Sequence, residues 1–399
     1  MRSEAFTALA MAFVGVHAAA QPPYTEVTTT HLPSGLAGPC MDAAAGDADG
    51  DGDLDLVLAM EFETNVLLLN DGMARFRNAS AQLPRTEHDS EDVAFADFDA
   101  DGDLDLVLVS EDDRKDELYL NDGTGRFGDA SDRLTPDDVS NALVVLDLNG
   151  DGAPDVLTGN IGTDRALIND GEGRFSDETA TRWRQGSAES RTQDLEAFDA
   201  DGDGDLDVAV GNEGQNQLYL NTSGVLVDVT ATHLPRENDE SREIRAADFD
   251  GDGDLDLVVG NVQFVRDEPA VDTLLLNDGK GVFAYAPAAS LPSAGDADNF
   301  TIQAVDVDGD ADVDVIAPST VFERAAGDYR VLLNDGKARF SVAARGSVLP
   351  PSTDGNGFDV EVADFDADGR ADLFLCNRAS VGNDPEASGG VQRLLLHAR

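Results

Sequence analysis

The sequence predicts an all-β fold, a seven-bladed β-propeller, on three observations. A nine-residue aspartate-rich phrase occurs seven times in 399 residues, and successive copies start 49 to 58 residues apart. Each copy is followed by an alternating Leu/Val run, and in five units an Asn-Asp-Gly turn comes later. The chain also begins with a segment that matches a strand missing from the last unit. Four strands at a period near 50 residues are typical of one propeller blade.

Within each unit we expect four strands, A to D. In the second unit, Asp92–Asp97 alternates as strand A, and LDLVLV after the acidic loop alternates again as strand B. A variable loop leads to strand C, and the Asn-Asp-Gly turn, a strong hairpin signal, joins strand C to strand D. Strand A is expected to line the central channel, with the acidic A–B loops on one face and the variable loops on the other.

The two ends of the chain are complementary. The last unit ends after Leu394–Leu396 without a strand D, whereas Tyr24–Pro33 matches the strand-D segment Val227–Pro235. Placed beside the final strand C, the N-terminal strand would close the ring and remove the exposed sheet edge. Cys40 precedes the first strand A and Cys376 ends the last strand B, so a disulfide across this seam is predicted, with two free thiols as the alternative.

Charge excludes several classes of partner. The chain has 27 Lys and Arg against 80 Asp and Glu, a net charge of −53, which excludes a phosphate-backbone binder and argues against docking on an anionic membrane. Such acidity is often a sign of disorder, but 41% of the residues are hydrophobic and the acids come in short bursts. We therefore expect a folded chain with no nucleic-acid partner.

The N-terminal residues 1–20 have the pattern of a signal peptide. An apolar stretch, Ala5–Val16, precedes the small residues Ala18–Ala20 and a cleavage point before Gln21, although a frayed Ala-rich helix would look similar. The stretch is too short to span a membrane and no other apolar run approaches that length, so no membrane insertion is expected. The sequence predicts an exported monomer, periplasmic, secreted or at the cell surface, with residues 21–399 as one propeller domain.

The acidic phrase, D-x-D-x-D-G-x-x-D, predicts a metal loop. Oxygen ligands at positions 1, 3, 5 and 9, a carbonyl at position 7 and Gly at position 6 for a sharp turn suit Ca²⁺. Two features argue against an EF-hand: position 12 is Leu58, Leu108 and Val259 in three copies instead of Glu, and a strand is expected after the loop instead of a helix. A solvated acidic turn is the alternative, but the crowded carboxylates would repel one another without a cation.

We expect up to seven Ca²⁺ ions, one per blade. The candidate metal residues are the odd positions of the copies: Asp47, Asp49, Asp51, Asp53 and Asp55; Asp97, Asp99, Asp101, Asp103 and Asp105; Asp147, Asn149, Asp151, Ala153 and Asp155; Asp199, Asp201, Asp203, Asp205 and Asp207; Asp248, Asp250, Asp252, Asp254 and Asp256; Asp306, Asp308, Asp310, Asp312 and Asp314; Asp364, Asp366, Asp368, Arg370 and Asp372.

The copies are unequal. Asn149 replaces an acid in the third copy, Ala311 replaces the position-6 Gly in the sixth, and Arg370 brings a positive charge to the seventh. We expect these three sites to be weaker, and Ala311 to be strained at positive φ. An extra Asp-Gly in the fourth copy allows two registers, one of which has Gly204 at position 6.

These motifs resemble the FG-GAP/VCBS-type repeat family, whose propeller and Asp-rich calcium loops are shared with the head of integrin α chains. The resemblance covers essentially the whole mature chain. It implies calcium bound in the A–B loops on one face, and roles in adhesion and recognition, sometimes as a module attached to an enzyme.

Three functions remain open. The first is a non-catalytic module that binds a protein or glycan through its variable-loop face, since loops of varied length on a rigid scaffold often carry function. The second is a polysaccharide lyase or hydrolase on the same scaffold, although none of the common catalytic motifs is present. The third is a lectin with repeated sugar sites, which would require recurrent loop aromatics that this sequence lacks.

Two other features carry alternatives. Acids stand five residues before the acidic phrase in five units, as Asp42, Asp92, Asp194, Glu243 and Asp359, whereas Ala142 and Thr301 break the series. They form either an acidic ring that binds a cation or basic ligand or, as we favour, a set of acceptors for backbone N–H groups of the loop before the strand. The single Trp, Trp183, either stacks on a ligand or fills a gap between blades. His31 and His233 share one strand-D position and are expected to be repeat elements.

Overall fold

Antiparallel strands account for nearly all the regular structure of the chain. The computed structural model describes residues 22–136, 138–184, 190–264, 271–293, 298–320, 327–353, 355–378 and 390–398. The fold is all-β and propeller-like, and the helical segments within these ranges are single turns of three or four residues. Among them no helix is long and apolar enough to cross a membrane. The predicted signal peptide lies outside the described residues, as do parts of the three longest variable loops.

The strands are given by sequence unit, in the order A, B, C, D. Unit 1 has Cys40–Gly46, Asp55–Glu63, Val66–Leu69 and Arg77–Asn78; unit 2 has His88–Ala96, Asp105–Ser110, Glu117–Asn121 and Phe127–Asp129; unit 3 has Ser140–Leu146, Asp155–Gly162, Arg165–Asn169 and Phe175–Asp177; unit 4 has Ser190–Phe198, Asp207–Gly214, Gln217–Asn221 and Leu226–Asp228. Unit 5 has Asp239–Ala247, Asp256–Asn261, Thr273–Asn277 and Phe283–Tyr285; unit 6 has a divided strand A, Asp298–Asn299 and Gln303–Val305, then Asp314–Thr320, Asp328–Leu333 and Ser341–Val342; unit 7 has Gly357–Ala363, Asp372–Asn377 and Arg393–His397.

Strand B is buried on both faces. In unit 2 all six residues of Asp105–Ser110 are buried, although their sequence alternates as a strand with one wet face would. Neighbouring units pack over both sides of each sheet, and the aromatic residues cross these junctions: Phe98 of unit 2 contacts Phe175 of unit 3 edge to face at 5.6 Å. The core is therefore a series of layers between units.

Strand D is shorter than predicted. Tyr24–Glu26 is a strand, but Thr28–His31 forms one helical turn, so the segment Tyr24–Pro33 is not a continuous strand as expected. The same turn follows strand D in unit 4, at Thr230–His233. A Thr hydroxyl contacts the His ring in both turns, which confirms that these two histidines are repeat elements.

The two ends of the chain meet. Tyr24, Thr25 and Glu26 pair antiparallel with His397, Leu396 and Leu395. A disulfide joins Cys40 to Cys376, with a Cα–Cα distance of 5.4 Å, as predicted. Phe76 of unit 1 also packs on Phe365 of unit 7 with ring centroids 5.6 Å apart. The first and last units are thus neighbours in space.

Candidate functional site

The seven acidic loops share one backbone geometry, organised by the aspartate at position 1. Its Oδ2 atom accepts the N–H of position 6 at 2.8–3.1 Å in every copy. The Oδ1 atom of position 5 accepts the N–H of position 7 at 2.9–3.1 Å. These bonds wrap each loop around its own carboxylates.

Carboxylate oxygens without a partner lie inside the loops. In the described residues, Asp47 Oδ1, Asp49 Oδ1 and Asp99 Oδ1 are buried and accept no hydrogen bond. Three carboxylate oxygens come within 4.8 Å of one another in several loops, among them those with Asp47/Asp49/Asp55, Asp97/Asp99/Asp101, Asp199/Asp201/Asp203 and Asp248/Asp250/Asp256. Burial and then the charge of Asp51 raise the pKa of Asp49. A hard divalent cation fits this donor set, because it would supply the missing partner.

Position 9 has a structural role that the sequence did not indicate. One oxygen of this aspartate accepts the N–H of position 2 at 2.9–3.1 Å. The other accepts a backbone N–H at the end of strand C at 2.7–2.8 Å. These aspartates are buried, and burial raises their pKa to about 6 or 7: Asp55, Asp105, Asp155, Asp207, Asp256, Asp314 and Asp372.

The Asn that ends strand C ties neighbouring units together. Asn121 Nδ2 of unit 2 donates to the Ala48 carbonyl at position 2 of the unit 1 loop, at 2.8 Å. Asn70 of unit 1 makes the equivalent bond to Phe365 of unit 7, at 2.9 Å. We predicted this residue as part of a turn, and its recurrence in six units was the signal of a second role.

The side chain at position 7 lies against the C–D turn. A Cβ atom on Gly72 would lie 2.6 Å from Asp53 Oδ2, and Gly123 has the same relation to Asp103. In the seventh copy, the Arg370 guanidinium donates to the carbonyl of Ala398. The Arg370 guanidinium therefore bonds to the end of the chain and not to the carboxylates of its loop. Its positive charge is a weaker argument against a metal ion in the seventh loop than the sequence indicated.

The other departures from the phrase have local effects. Gly204 donates its N–H to Asp199 and has φ +96°, so the fourth copy adopts the register with Gly204 at position 6. Ala311 has φ +74°, as predicted. Asn149 turns its amide to Asp151 Oδ2, at 2.9 Å. Position 4 also has positive φ, and Ala100 and Ala367 occupy it in two copies, a second strained position that was not predicted.

The five acids at the start of strand A join adjacent units. Each accepts a backbone N–H from strand A of the next unit: Asp42 from Val93 at 3.1 Å, Asp92 from Leu143 at 2.7 Å, Asp194 from Ile244 at 2.7 Å, Glu243 from Ile302 at 3.0 Å and Asp359 from Ala43 at 3.2 Å. At the two junctions without such an acid, Asn141 and Gln303 donate to carbonyls of the next strand, both at 2.9 Å. The acids are acceptors, as favoured, but their donors belong to the next strand A and not to the preceding loop.

A half-buried arginine partly balances these acids. Arg245 forms ion pairs with Glu243 and with Asp194, the second at 3.2 Å. Two more acids stand two residues further along their strands A. Glu361 Oε1 accepts the Ala45 N–H at 2.9 Å, and Glu196 Oε1 accepts the Ala246 N–H at 2.9 Å. Burial raises the pKa of Glu361 to about 8 and that of Glu196 to about 7.

A central cavity of about 360 Å³ opens where the strands A begin. Six strands A carry a register irregularity one residue before the acid position, or before Ala142 in unit 3, and such a bulge redirects a side chain. The redirected side chains and Phe300 of unit 6 line the cavity: Met41, Glu91, Asn141, Gln193, Arg242, Phe300 and Phe358. These positions hold six different residue types in seven units, so they give no repeat signal in the sequence.

The cavity wall is chemically uneven. Phe264, Phe300 and Phe358 form a row, with centroids 5.3 Å apart for the first pair and 4.6 Å for the second, which is stacked. Arg242 lies over Phe264 at 5.2 Å, and Arg378 lies over Phe358 at 5.3 Å. Glu61, Glu91, Glu111 and Glu213 contribute carboxylates to the wall, of which Glu61 pairs with Arg378 and Glu213 with Arg242.

Trp183 does not face a ligand. It is 1% exposed and packs edge to face on Tyr219 at 5.6 Å, within the cluster between units 3 and 4. The ligand-stacking interpretation is therefore wrong, and the residue fills a gap between units.

A family comparison agrees with the loop geometry. The model of the FG-GAP-like repeat matches residues 47–108, 97–158, 147–210 and 199–259, which together span more than half of the chain. The chain belongs to the FG-GAP-like repeat family. The acidic loops that start at Asp47, Asp97, Asp147, Asp199 and Asp248 lie within the matched repeats. No curated protein matches the sequence.

Solved structures share the architecture at low identity. A lectin from Agrocybe aegerita, described as recognising non-reducing terminal N-acetylglucosamine, is 20% identical over 78% of this chain and 81% of its own, with a TM-score of 0.53. The BP39L lectin from Burkholderia pseudomallei is 15% identical over 85% and 93%, with a TM-score of 0.56. BBS1N in complex with ARL6DN is 13% identical over 95% and 98%, with a TM-score of 0.55. At these identities the likeness concerns the fold alone.

Proposed function

We propose that this protein is an exported, calcium-loaded, seven-bladed propeller that binds a glycan or a protein without catalysing a reaction. The ligand occupies the central cavity on the variable-loop face, opposite the acidic loops. The observation that carries this proposal is the uneven cavity wall, in which a row of three Phe rings and two guanidinium groups lies beside four carboxylates, two of them ion-paired with those guanidinium groups.

Closure into seven blades is supported by contacts at every junction. The strand-A hydrogen bonds run from unit to unit and return from Asp359 of unit 7 to Ala43 of unit 1. The pairing of Tyr24–Glu26 with the last strand C would supply the fourth strand of the seventh blade. The Cys40–Cys376 disulfide would then lie across the closure.

Calcium in the A–B loops is supported by family membership and by the orphan carboxylate oxygens. The proposed ligands in a complete copy are the carboxylates of positions 1, 3 and 5, such as Asp47, Asp49 and Asp51, with the buried aspartate at position 9 close by. A bound Ca²⁺ would neutralise the charge of each loop and hold its strands A and B together.

Export is supported by the signal-like residues 1–20 and by the disulfide, because disulfides persist mainly in oxidising compartments. We further propose that the exported chain is a monomer.

The kind of ligand follows from the wall. Aromatic rings offer flat apolar surface on which the apolar face of a sugar, or an aromatic side chain, can stack. Carboxylates and guanidinium groups beside the rings can fix hydroxyl or amide groups by hydrogen bonds. The two lectins of similar fold make a glycan ligand the first to test.

The test is a glycan array, with a pull-down from extracellular and envelope fractions, on the calcium-loaded protein. Phe300→Ala and Phe358→Ala should each weaken binding about five- to tenfold, since a lost aromatic contact costs ~1 kcal/mol. Met73→Ala is the matched control, because Met73 is an exposed apolar residue on the acidic-loop face. Binding that is insensitive to both Phe variants would overturn the cavity as the site. Release of reducing ends or unsaturated products from a bound glycan would favour the lyase or hydrolase alternative.

A further inference from the structure

A second group of carboxylates lies on the variable-loop face, away from the acidic loops. Asp89 starts strand A of unit 2, and Glu111 and Asp112 follow strand B of the same unit. Their carboxylate oxygens lie within 4.8 Å of one another. Glu111 also lines the central cavity. None of these residues belongs to the repeated phrase, so the repeat pattern does not explain them.

Asp89 gives this group an unsatisfied buried oxygen. The residue is 2% exposed, and its Oδ2 atom accepts the Asp112 N–H at 3.0 Å. Its Oδ1 atom is buried and has no hydrogen-bond partner among the described residues. A buried carboxylate oxygen without a partner is costly, because its lost hydration is not replaced. The orphan oxygen belongs to the same carboxylates that converge on Glu111 and Asp112.

The local charge makes the cost larger. Within the described parts of the chain, no ion pair joins Asp89, Glu111 or Asp112 to an Arg, Lys or His side chain. Burial, and then the charges of Glu61, Asp112 and Glu111, raise the pKa of Asp89 to about 6. Burial, and then the charge of Asp89, also raises the pKa of neighbouring Glu91. The charge of Arg242 lowers the pKa of Glu111, but this guanidinium is ion-paired with Glu213 and, among the described residues, forms no ion pair with the three carboxylates.

We propose that Asp89, Glu111 and Asp112 bind a divalent cation, Ca²⁺, as a site separate from the seven acidic loops. Carboxylate oxygens on a strand end and an adjoining loop suit Ca²⁺, which accepts irregular geometry and leaves positions for water. Because Glu111 faces the cavity, a bound ion would also reduce the negative charge of the cavity wall. The site does not depend on the identity of the cavity ligand.

Crystals of the whole protein grown with Tb³⁺ or Mn²⁺ test the site without a mutation. An anomalous peak within ~2.3–2.6 Å of all three carboxylates is expected. Filled acidic loops with no peak at Asp89 would overturn the proposal.

Native mass spectrometry in calcium gives an independent test. Asp89→Asn and Glu111→Gln should each lower the number of bound ions by one. Asp113→Asn is the control, since it removes one charge from the same loop outside the cluster and should leave the number unchanged. Asp89 is buried, so Asp89→Asn could fail to fold. Glu111 is partly exposed, and Glu111→Gln therefore tests the site in a variant that is expected to fold. An unchanged ion number in Glu111→Gln, or an equal loss in Asp113→Asn, would contradict the site.

Discussion

Cys40 and Cys376 are joined by a disulfide that spans 336 residues of sequence, with their Cα atoms 5.4 Å apart. Both residues are fully buried, and the bond links the first strand A to the last strand B. Cross-linking so long a segment restricts the unfolded chain strongly, and loop-closure entropy predicts ~5 kcal/mol as an upper value.

The Cys40→Ser/Cys376→Ser variant should therefore unfold at lower urea than the wild type. Its midpoint should not respond to a reductant, whereas reduction of the wild type should move the wild-type midpoint to that of the variant. Equal midpoints for the oxidised wild type and the variant would show that the bond adds no stability.

The carboxyl groups of Glu361 and Glu196, on strands A of units 7 and 4, predict a free energy of unfolding that falls as pH rises. Folded Glu361 has its pKa raised to about 8 and Glu196 to about 7, both from an ordinary value of 4.5. A raised folded pKa contributes stability that is complete below the unfolded value and is lost as pH rises through the folded value. The loss from these groups therefore falls between about pH 4.5 and pH 8.

Glu361→Gln should flatten this dependence, because the amide oxygen can still accept the Ala45 N–H but does not ionise. Each such group contributes at most ~1.4 kcal/mol per pH unit. Urea unfolding from pH 6 to 9 in saturating calcium measures the slope. Glu172→Gln, which removes a carboxylate from the exposed surface, is the control, and an identical slope in both variants would contradict the assignment.

Gly72 tests the contact between the acidic loop and the C–D turn. It has φ +72°, and a Cβ there would lie 2.6 Å from Asp53 Oδ2. Gly35 has a similar φ of +82° but no atom within 4 Å of its Cβ position. Gly35→Ala should cost ~1 kcal/mol from the backbone alone, whereas Gly72→Ala should cost about 1–2 kcal/mol more. Equal losses of unfolding free energy would show that the contact is not tight.

The repeated features of the molecule could be predicted from the sequence, and its unrepeated ones could not. Comparison of the seven sequence units predicts the order of the strands and the strained backbone at Ala311. Comparison of the two chain ends predicts the disulfide between Cys40 and Cys376. The cavity residues, such as Glu91 and Phe300, occupy one structural position that holds six residue types in seven units, so no pattern marks them. The role of Trp183 could not be predicted either, because an aromatic residue that occurs once gives no sign of whether it packs between units or faces solvent.

Calcium dependence of the fold is the central claim, and thermal melting with and without a calcium chelator at neutral pH tests it most directly. A ligand at 100 times its Kd stabilises the folded state by ~2.7 kcal/mol per site, so emptying several loops should lower the Tm strongly. The loops with Asn149 and Ala311 should empty first, and the four complete loops last. Added calcium should restore the original curve. Melting curves that coincide with and without excess chelator would contradict the account.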